Sequence, residues 1–260
     1  MIQAPNNNFL SKDNWNDHWK TKAESATANP AQDYRRKIIF KSLKLDQVKG
    51  PVRVLDIGSG QGDFTLQLQS ARPDAEILGL ELSQSGVEIS QKKNPTATFI
   101  QQDLLKYAVP QNPFKEWAQF AVCSEVLEHV EEPQKILTHI RPYLAPKSIL
   151  VITVPGGPMS TFDKHIGHRK HFQRSELEEL VQKSGFSIEK ISCSGFPFFN
   201  LYRMIVILRG KKLIQDAATP KKKMPLLARF FMILFSKLFQ FNLDHHSLGW
   251  QIICVARKKD

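Results

Sequence analysis

From Val52 onward, short apolar runs alternate with stretches of helical spacing. The runs are VRVLDIG, EILGLEL, ATFIQQDL, QFAVCS and SILVITVPG. Strands alternating with helices predict βαβ units and a mostly parallel sheet. Crossover helices are expected at 62–71, 84–93 and 133–145, the last with Pro133 suited to a first turn. Ser175-Glu176-Leu177-Glu178 reads as a capping box opening a further helix, which Gly185 can end. FSIEKISCSG and GWQIICVARK supply two more strands. Ahead of the sheet, Trp15 and Trp19, then Tyr34 to Leu43, have the pattern of an amphipathic helical N-terminus.

Between the last two strands lie about fifty residues that a sheet does not need. They hold LYRMIVILRGKKLI (201–214) and PLLARFFMILFSKLFQFNL (225–243). On a helical wheel of 226–241, Arg229, Ser236, Lys237 and Gln240 fall in one narrow stripe, and nearly all else is Leu, Ile, Phe or Met. A surface helix normally has a wider polar face. The domain organisation read from the pattern is a helical cap over 1–50 and a core over 51–195. A basic apolar insertion follows over 196–247, and a final core strand over 248–260.

Charge sharpens this division. The chain carries a formal +11, and its last sixty residues hold twelve Lys and Arg against three Asp and Glu. Residues 51–150 are slightly acidic, with nine basic and twelve acidic side chains. With Lys211, Lys212 and Lys221 to Lys223 alongside, the insertion reads as an interfacial helix on an anionic membrane surface. The competing reading is a buried active-site cap or dimer contact. Nucleic acid fits less well, because the cations sit among aliphatic residues rather than stacking aromatics and polar readers. Cys123, Cys193 and Cys254 are isolated and odd in number, which fits a reducing compartment, and no secretory signal opens the chain. The expected location is cytoplasmic, or peripheral on the inner face of a membrane.

VLDIGSGQGDF (54–64) is a strand, a glycine turn and a helix start, the place where an open α/β sheet takes a nucleotide-like ligand. Gly58, Ser59, Gly60 and Gly62 form the turn. A dinucleotide fingerprint needs glycine where this chain has Asp63. Asp56 at the strand tip would repel a pyrophosphate and suits a cationic or amino group. Glu81 closes the next strand, placed to accept both hydroxyls of a ribose. Asp103 closes the third and could accept from an exocyclic adenine amine. Together these residues describe a nucleoside ligand with positive charge and no phosphate.

DIGSGQG, Glu81, Asp103 and CSEVLEHVEEP (123–133) fall in the order and spacing of class I S-adenosylmethionine-dependent methyltransferases, which the chain resembles over 52–195 and again at its last strand. Within that class it is similar to the UbiG/Coq3-like and type 11/12 small-molecule methyltransferases. The resemblance implies an α/β, Rossmann-like sheet of seven strands with the last antiparallel, here with a helical insertion between strands 6 and 7. It implies that Asp56 and the loop hold the methionine end, that Glu81 and Leu82 meet the ribose, that Asp103 and Leu104 frame the adenine, and that Ser124 lines the cleft. It also implies a divalent metal such as Mg at Glu125, Glu128 and His129. If EVLEHV is helical these three share one face; the alternative is a cleft wall without metal.

HIGHRKHF (165–172) follows the fifth strand and so crosses the edge of the sheet over the acceptor site. Gly167-His168…His171-Phe172 matches a turn of the UbiG-like relatives. One reading is a loop packed on the sheet edge. The other makes His168 or His171 the general base or acceptor clamp, with Arg169 and Lys170 steering an anionic acceptor. The expected activity is methyl transfer from S-adenosylmethionine to an oxygen of a small, lipophilic or lipid-linked metabolite. The alternatives are N- or C-methylation of a soluble small molecule, or a membrane-associated cofactor-binding protein without turnover. The sequence leaves the oligomeric state open.

Overall fold

The computed structural model describes residues 15–17, 19, 29–106, 109–218, 226–244 and 247–259. Among them eight strands form one sheet: β1 (Arg53–Ile57), β2 (Glu76–Glu81), β3 (Thr98–Gln101), β4 (Ala118–Ser124), β5 (Leu144–Pro155), β6 (Phe186–Phe196), β7 (Leu243–Asp244) and β8 (Gln251–Lys258). Their spatial order is β3-β2-β1-β4-β5-β8-β6-β7. The five strands β3, β2, β1, β4 and β5 pair in parallel in that order, and β8 runs antiparallel between β5 and β6. The Rossmann-like sheet expected from sequence is therefore present. The eighth strand is the two-residue β7, paired to the end of β6.

The period-two alternation of side chains builds a core on each face. Val54, Val122, Val151 and Ile253 point into one cluster with Leu68 of α2 (Asp63–Ala71) and with Ile39 and Leu43 of α1 (Pro30–Leu43). Their neighbours Leu55, Ala121, Ile152 and Cys254 point into the other. That cluster is completed by Ile136 and Ile140 of α4 (Pro133–Ile140) and by Leu177 and Val181 of α6 (Arg174–Lys183). Strands covered on both faces read as near-continuous apolar runs, which is why β4 and β5 were conspicuous in the sequence.

The helices α2 and α3 (Gln84–Lys93) lie within a residue of their expected positions. Three local expectations are corrected. The helix expected over 133–145 stops at Ile140, because a 3₁₀ turn over Arg141–Tyr143 contains Pro142 and Leu144 already pairs with Ala118 in the sheet. The capping box of α6 is Gln173 with Glu176, whose Oε2 accepts from Gln173 N at 2.8 Å. Ser175 lies inside the helix. EVLEHV is not a helix: Glu125 has φ +56° and only Leu127–His129 turn, as 3₁₀.

Helices from before β1 and after β6 build one cap. After β6 come α7 (Phe198–Ala218) and α8 (Leu226–Leu238), which share a small core with α1. The Phe239 ring lies 5.3 Å from Tyr34, 5.7 Å from Phe199 and 5.9 Å from Phe235. Ser194 Oγ donates to Asp244 Oδ1 at 3.1 Å, so Tyr34 OH donates to Ser194 Oγ at 2.6 Å and fastens α1 to β6. The cations Lys221 to Lys223 lie outside the described residues.

Candidate active site

The cofactor half lies at the carboxyl ends of β1, β2 and β3. Gly58, Gly60 and Gly62 all have positive φ, at 66°, 56° and 75°. A Cβ on Gly58 would come within 2.5 Å of Val126, and one on Gly60 within 2.7 Å of the Trp19 ring. The first contact sets the glycine turn directly against the segment that follows β4. The second shows the Trp19 ring lying over the turn. Nearby, Asn16 Oδ1 accepts from Ser85 N at 3.1 Å.

Glu81 is buried and holds the turn in shape. Its Oε2 accepts from Gly60 N at 2.9 Å, and its Oε1 from Ser83 N at 3.0 Å and Ser83 Oγ at 2.9 Å. Burial pushes its carboxyl above the usual range, and these donors partly offset that. Asp56 is fully enclosed, with Thr65 Oγ1 donating to its Oδ2 at 2.9 Å. Burial, then the hydrogen bond from Thr65 in opposition, then the charge of Glu81, bring its carboxyl up to about 7. An acid so placed gains from a cationic ligand group. Ser59 Oγ is buried and has no hydrogen-bond partner among the described residues, which fits a site shaped for a polar ligand.

Further along the edge, Asp103 Oδ1 accepts from Leu105 N at 3.0 Å, and Leu104 O accepts from His139 Nδ1 at 2.8 Å. Leu104 is buried and Leu82 is half exposed. Ser124 Oγ meets Thr153 Oγ1 at 2.9 Å across β4 and β5. Asp56, the glycines, Glu81 and Asp103 thus stand at or just past the ends of three neighbouring strands.

The second half collects the acidic and histidine residues beyond Ser124. Glu125, Glu128 and His129 do not share a face. The left-handed turn at Glu125 sends its carboxylate toward the sheet, where Oε1 accepts from Thr153 Oγ1 at 3.2 Å and Gln251 Nε2 at 2.9 Å. Its Oε2 lies 3.4 Å from Arg35 of α1. A non-glycine residue in that conformation costs roughly 1–3 kcal/mol, offset here by three anchored elements. Glu128 is fully buried, its Oε1 lies 3.9 Å from His129 Nε2, and neither carboxylate oxygen has a hydrogen-bond partner among the described residues. Burial and the nearby Glu125 push its carboxyl well above the usual range.

The HIGHRKHF stretch brings His168 to Glu128 and His171 to Asp163. It follows a short helix α5 (Thr161–His165), opened by a capping box in which Ser160 and Asp163 bond each other's backbone. His168 N then donates to Asp163 O at 3.0 Å. Arg169 straps the loop down, its N donating to Glu128 O and its Nε to His129 O, both at 2.8 Å, and its guanidinium pairing with Glu131. Lys170 lies over the Phe172 ring. Arg169 and Lys170 therefore hold the loop rather than face an acceptor, because nearby carbonyls, a carboxylate and a ring engage them.

The result is a nest of imidazoles. His129 and His168 meet edge to face at 4.7 Å, and Trp15 meets His129 at 4.9 Å. Gly157 O can only accept, so His171 Nδ1 donates to it at 3.1 Å. His171 Nε2 then carries a lone pair when the ring is neutral, and His168 Nδ1 donates to it at 3.2 Å. His168 Nε2 is left with its own lone pair. Burial, reinforced by His129, brings His168 down to about 2, and burial also lowers His171, so both rings are neutral near pH 7. One ligand atom each from Glu128, His129 and His168 lies within 4.8 Å of the other two, and the same holds for Asp163, His168 and His171.

Several residues here carried no sequence expectation. Asp163 is buried, 3.7 Å from His171 Nε2, and its two oxygens accept from Arg203 of α7 at 3.1 and 2.8 Å. Burial alone would raise its carboxyl, and the Arg203 guanidinium outweighs it and holds the group down at about 2. The Ser160-x-x-Asp163 spacing is a local signal of the cap. Nothing local marks Arg203, Arg35 or Gln251.

A family profile described as "Methyltransferase domain" matches residues 26–191. Malonyl-[acyl-carrier protein] O-methyltransferase of Halalkalibacterium halodurans is 28% identical over 130 residues, covering 49% of this chain and 47% of that protein. Trans-aconitate 2-methyltransferase of Yersinia pseudotuberculosis is 23% identical over 181 residues, covering 68% and 63%. The chain thus spans about half to under two thirds of these relatives. The solved plantazolicin methyltransferase BpumL, in complex with a pentazolic desmethylPZN analog and SAH, shares the fold with a TM-score of 0.60 at 16% identity, over 97% of this chain and 93% of that one. With the profile covering the cofactor edge and the histidine nest alike, the chain belongs to the methyltransferase domain family, in the class I S-adenosylmethionine-dependent group.

Proposed function

We propose that this protein transfers the methyl group of S-adenosylmethionine to an oxygen of a small, lipophilic acceptor held beside the histidine nest. The observation that carries the reading is the directed pair His168 Nδ1–H to His171 Nε2, with His171 pinned by Gly157 O. In the transfer, an oxygen lone pair of the acceptor forms the new C–O bond as the S–CH3 bond breaks. The bonding pair stays on sulfur, which leaves as a neutral thioether. For a hydroxyl acceptor, its proton passes to His168 Nε2 while the Nδ1 proton moves to His171 Nε2. The positive charge then rests beside Asp163, at 3.7 Å, where a carboxylate stabilises it. A carboxylate acceptor needs no base, and the nest then serves to exclude water and align the reacting oxygen. Two relatives carry the names of a malonyl-carrier and a trans-aconitate methyltransferase, which supports a small acidic or acyl acceptor.

A second reading is favoured by Glu128, whose carboxylate is buried with neither oxygen bonded. A divalent cation held by Glu128, His129 and His168 would satisfy it and would act as a Lewis acid on the acceptor oxygen. Two imidazoles and one carboxylate suit zinc, manganese or iron better than magnesium. Glu125 takes no part, being engaged by Arg35, Thr153 and Gln251. Metal analysis of purified protein before and after dialysis against EDTA decides this, since a metal-free preparation with full activity leaves the proton relay.

The test of the main reading is incubation with methyl-labelled S-adenosylmethionine and an extract of source cells, followed by separation into lipid, aqueous, protein and nucleic-acid fractions. Label in the lipid fraction supports a lipophilic acceptor. Release of the label by mild base marks a methyl ester, and retention marks an ether, amine or carbon acceptor. Tight cofactor binding without label in any fraction would favour a binding protein without turnover.

A further inference from the structure

The cap carries an outward surface that methyl transfer does not use. Along α7, Leu201, Met204 and Leu208 follow at i, i+3 and i+7 and are exposed, Leu208 to 80%. The same stripe runs on into exposed Lys211 and Lys212. Helix α8 is apolar on two opposite faces. Phe235, with the Phe239 that follows the helix, is buried against Tyr34 and Phe199, whereas Leu226, Phe230 and Ile233 stand 83%, 61% and 51% exposed on the far side. Arg229 and Lys237 flank that far side and are exposed.

Folding gains nothing from those outer side chains, so their apolar character needs an occupant. Charge selects it. Over 211–237 the sequence holds seven Lys and Arg against one Asp, which calls for an anionic neighbour. A second copy of the chain would set like charges opposite each other. A polyanionic nucleic acid would meet aliphatic side chains that neither stack nor read bases. An anionic bilayer satisfies both features, since apolar side chains enter the acyl boundary while long cationic ones reach back to lipid phosphates. Among the described residues no helix is long and apolar enough to cross a membrane, so contact is from one side.

We propose that the outer faces of α7 and α8 dock this protein on an anionic lipid bilayer. The inference shares with the proposed function only the lipophilic acceptor, and vesicle binding is read without turnover. The experiment is sedimentation of the full chain with vesicles of phosphatidylcholine alone or mixed equally with phosphatidylglycerol. The protein should pellet with the mixed vesicles and stay in solution with neutral ones. Lys211→Gln with Lys212→Gln should weaken partition roughly thirtyfold. Phe230→Ser with Ile233→Ser should abolish it and leave S-adenosylmethionine affinity unchanged, which certifies the fold. Absence of binding to both vesicles, equal binding to both, or full binding by the serine variant overturns the proposal. So does a wild-type dimer, seen by light scattering, that the serine variant splits into monomers, since the face then belongs to a second copy. Vesicle binding with no cofactor binding would overturn the proposed function alone.

Discussion

Replacing Arg203 with methionine tests the joint between the cap and the histidine loop. Arg203 reaches both oxygens of Asp163, and that carboxylate is 1% exposed. Methionine keeps much of the stem but leaves the charge with the Ser160 N–H at 2.7 Å as its near donor. Removing one partner of a buried ion pair costs about 3–5 kcal/mol. The Arg203 side chain is slightly open to water, which argues for the lower end, about 3 kcal/mol. At about 2–4 °C per kcal/mol for a chain near this size, thermal unfolding should fall by roughly 6–12 °C. Arg203→Met with Asp163→Asn should lose less than the two single variants together, with a coupling of about 1–3 kcal/mol. The pH dependence has a definite sign. Asp163 sits at about 2 in the native state, below its ordinary value near 4, so its contribution is complete above about pH 4 and fades as pH falls toward 2. Without Arg203 burial prevails, the carboxyl rises above its ordinary value, and the variant's deficit should shrink as pH drops below about 5. Calorimetry of the three variants across that range is the assay. An Arg203→Met shift of less than about 2 °C, or strict additivity in the double variant, would refute the account of a buried, coupled pair.

Three further outcomes follow from the site and the cap. Asp56 at about 7 predicts that S-adenosylmethionine affinity rises with pH as its carboxyl ionises, roughly tenfold per unit below pH 7, and titration calorimetry should show the slope vanish in Asp56→Asn. A flat wild-type profile would remove the ammonium from Asp56. Gly60→Ala needs φ +56° and a Cβ within 2.7 Å of Trp19, so cofactor binding should weaken at least tenfold and Trp19 fluorescence should change; an unchanged spectrum would mean that Trp19 does not lie on the turn. Phe239→Ala should cost about 3–5 kcal/mol in the aromatic core of the cap, and hydrogen exchange should speed up in α1 and α8 while β4 and β5 stay protected. Uniform acceleration across the sheet would show cap and core to unfold together.

The cofactor edge was legible because each of its residues is set by its own strand end. A glycine turn with positive φ, an acid closing β2 and an acid just past β3 are local facts, and the parallel sheet turns local order into spatial order. The acceptor side was legible only in its residue types. His129 and His168 stand thirty-nine positions apart in number, and a strap of Arg169 to two carbonyls brings them together. Glu125 looked like one third of a ligand set because a helix was assumed over EVLEHV. The backbone turns left-handed there, and Arg35, Thr153 and Gln251, three residues remote in sequence, engage the carboxylate. Spacing alone cannot reveal a φ that tertiary contacts impose.

The cap shows the same limit from the opposite direction. The sequence of α8 is apolar nearly all round, and a wheel cannot say which apolar face is inside. Only the ring contacts of Phe239 with Tyr34, Phe199 and Phe235 divide the helix into an inner and an outer side. Tyr34 and Phe199 come from α1 and α7, elements that lie on opposite sides of the core in sequence and far from each other along the chain. The same two helices supply Arg35 to Glu125 and Arg203 to Asp163. The wall of acids and histidines proposed to face the acceptor is therefore braced in part from outside the sheet, whereas the proposed cofactor edge is built mainly from the ends of its strands and the turns that follow them. A substitution in the aromatic core of the cap should act on acceptor turnover more than on cofactor affinity. Comparing kcat/KM with the cofactor Kd in Phe239→Ala separates the two, and equal losses in both would show that the braces do not confine the damage.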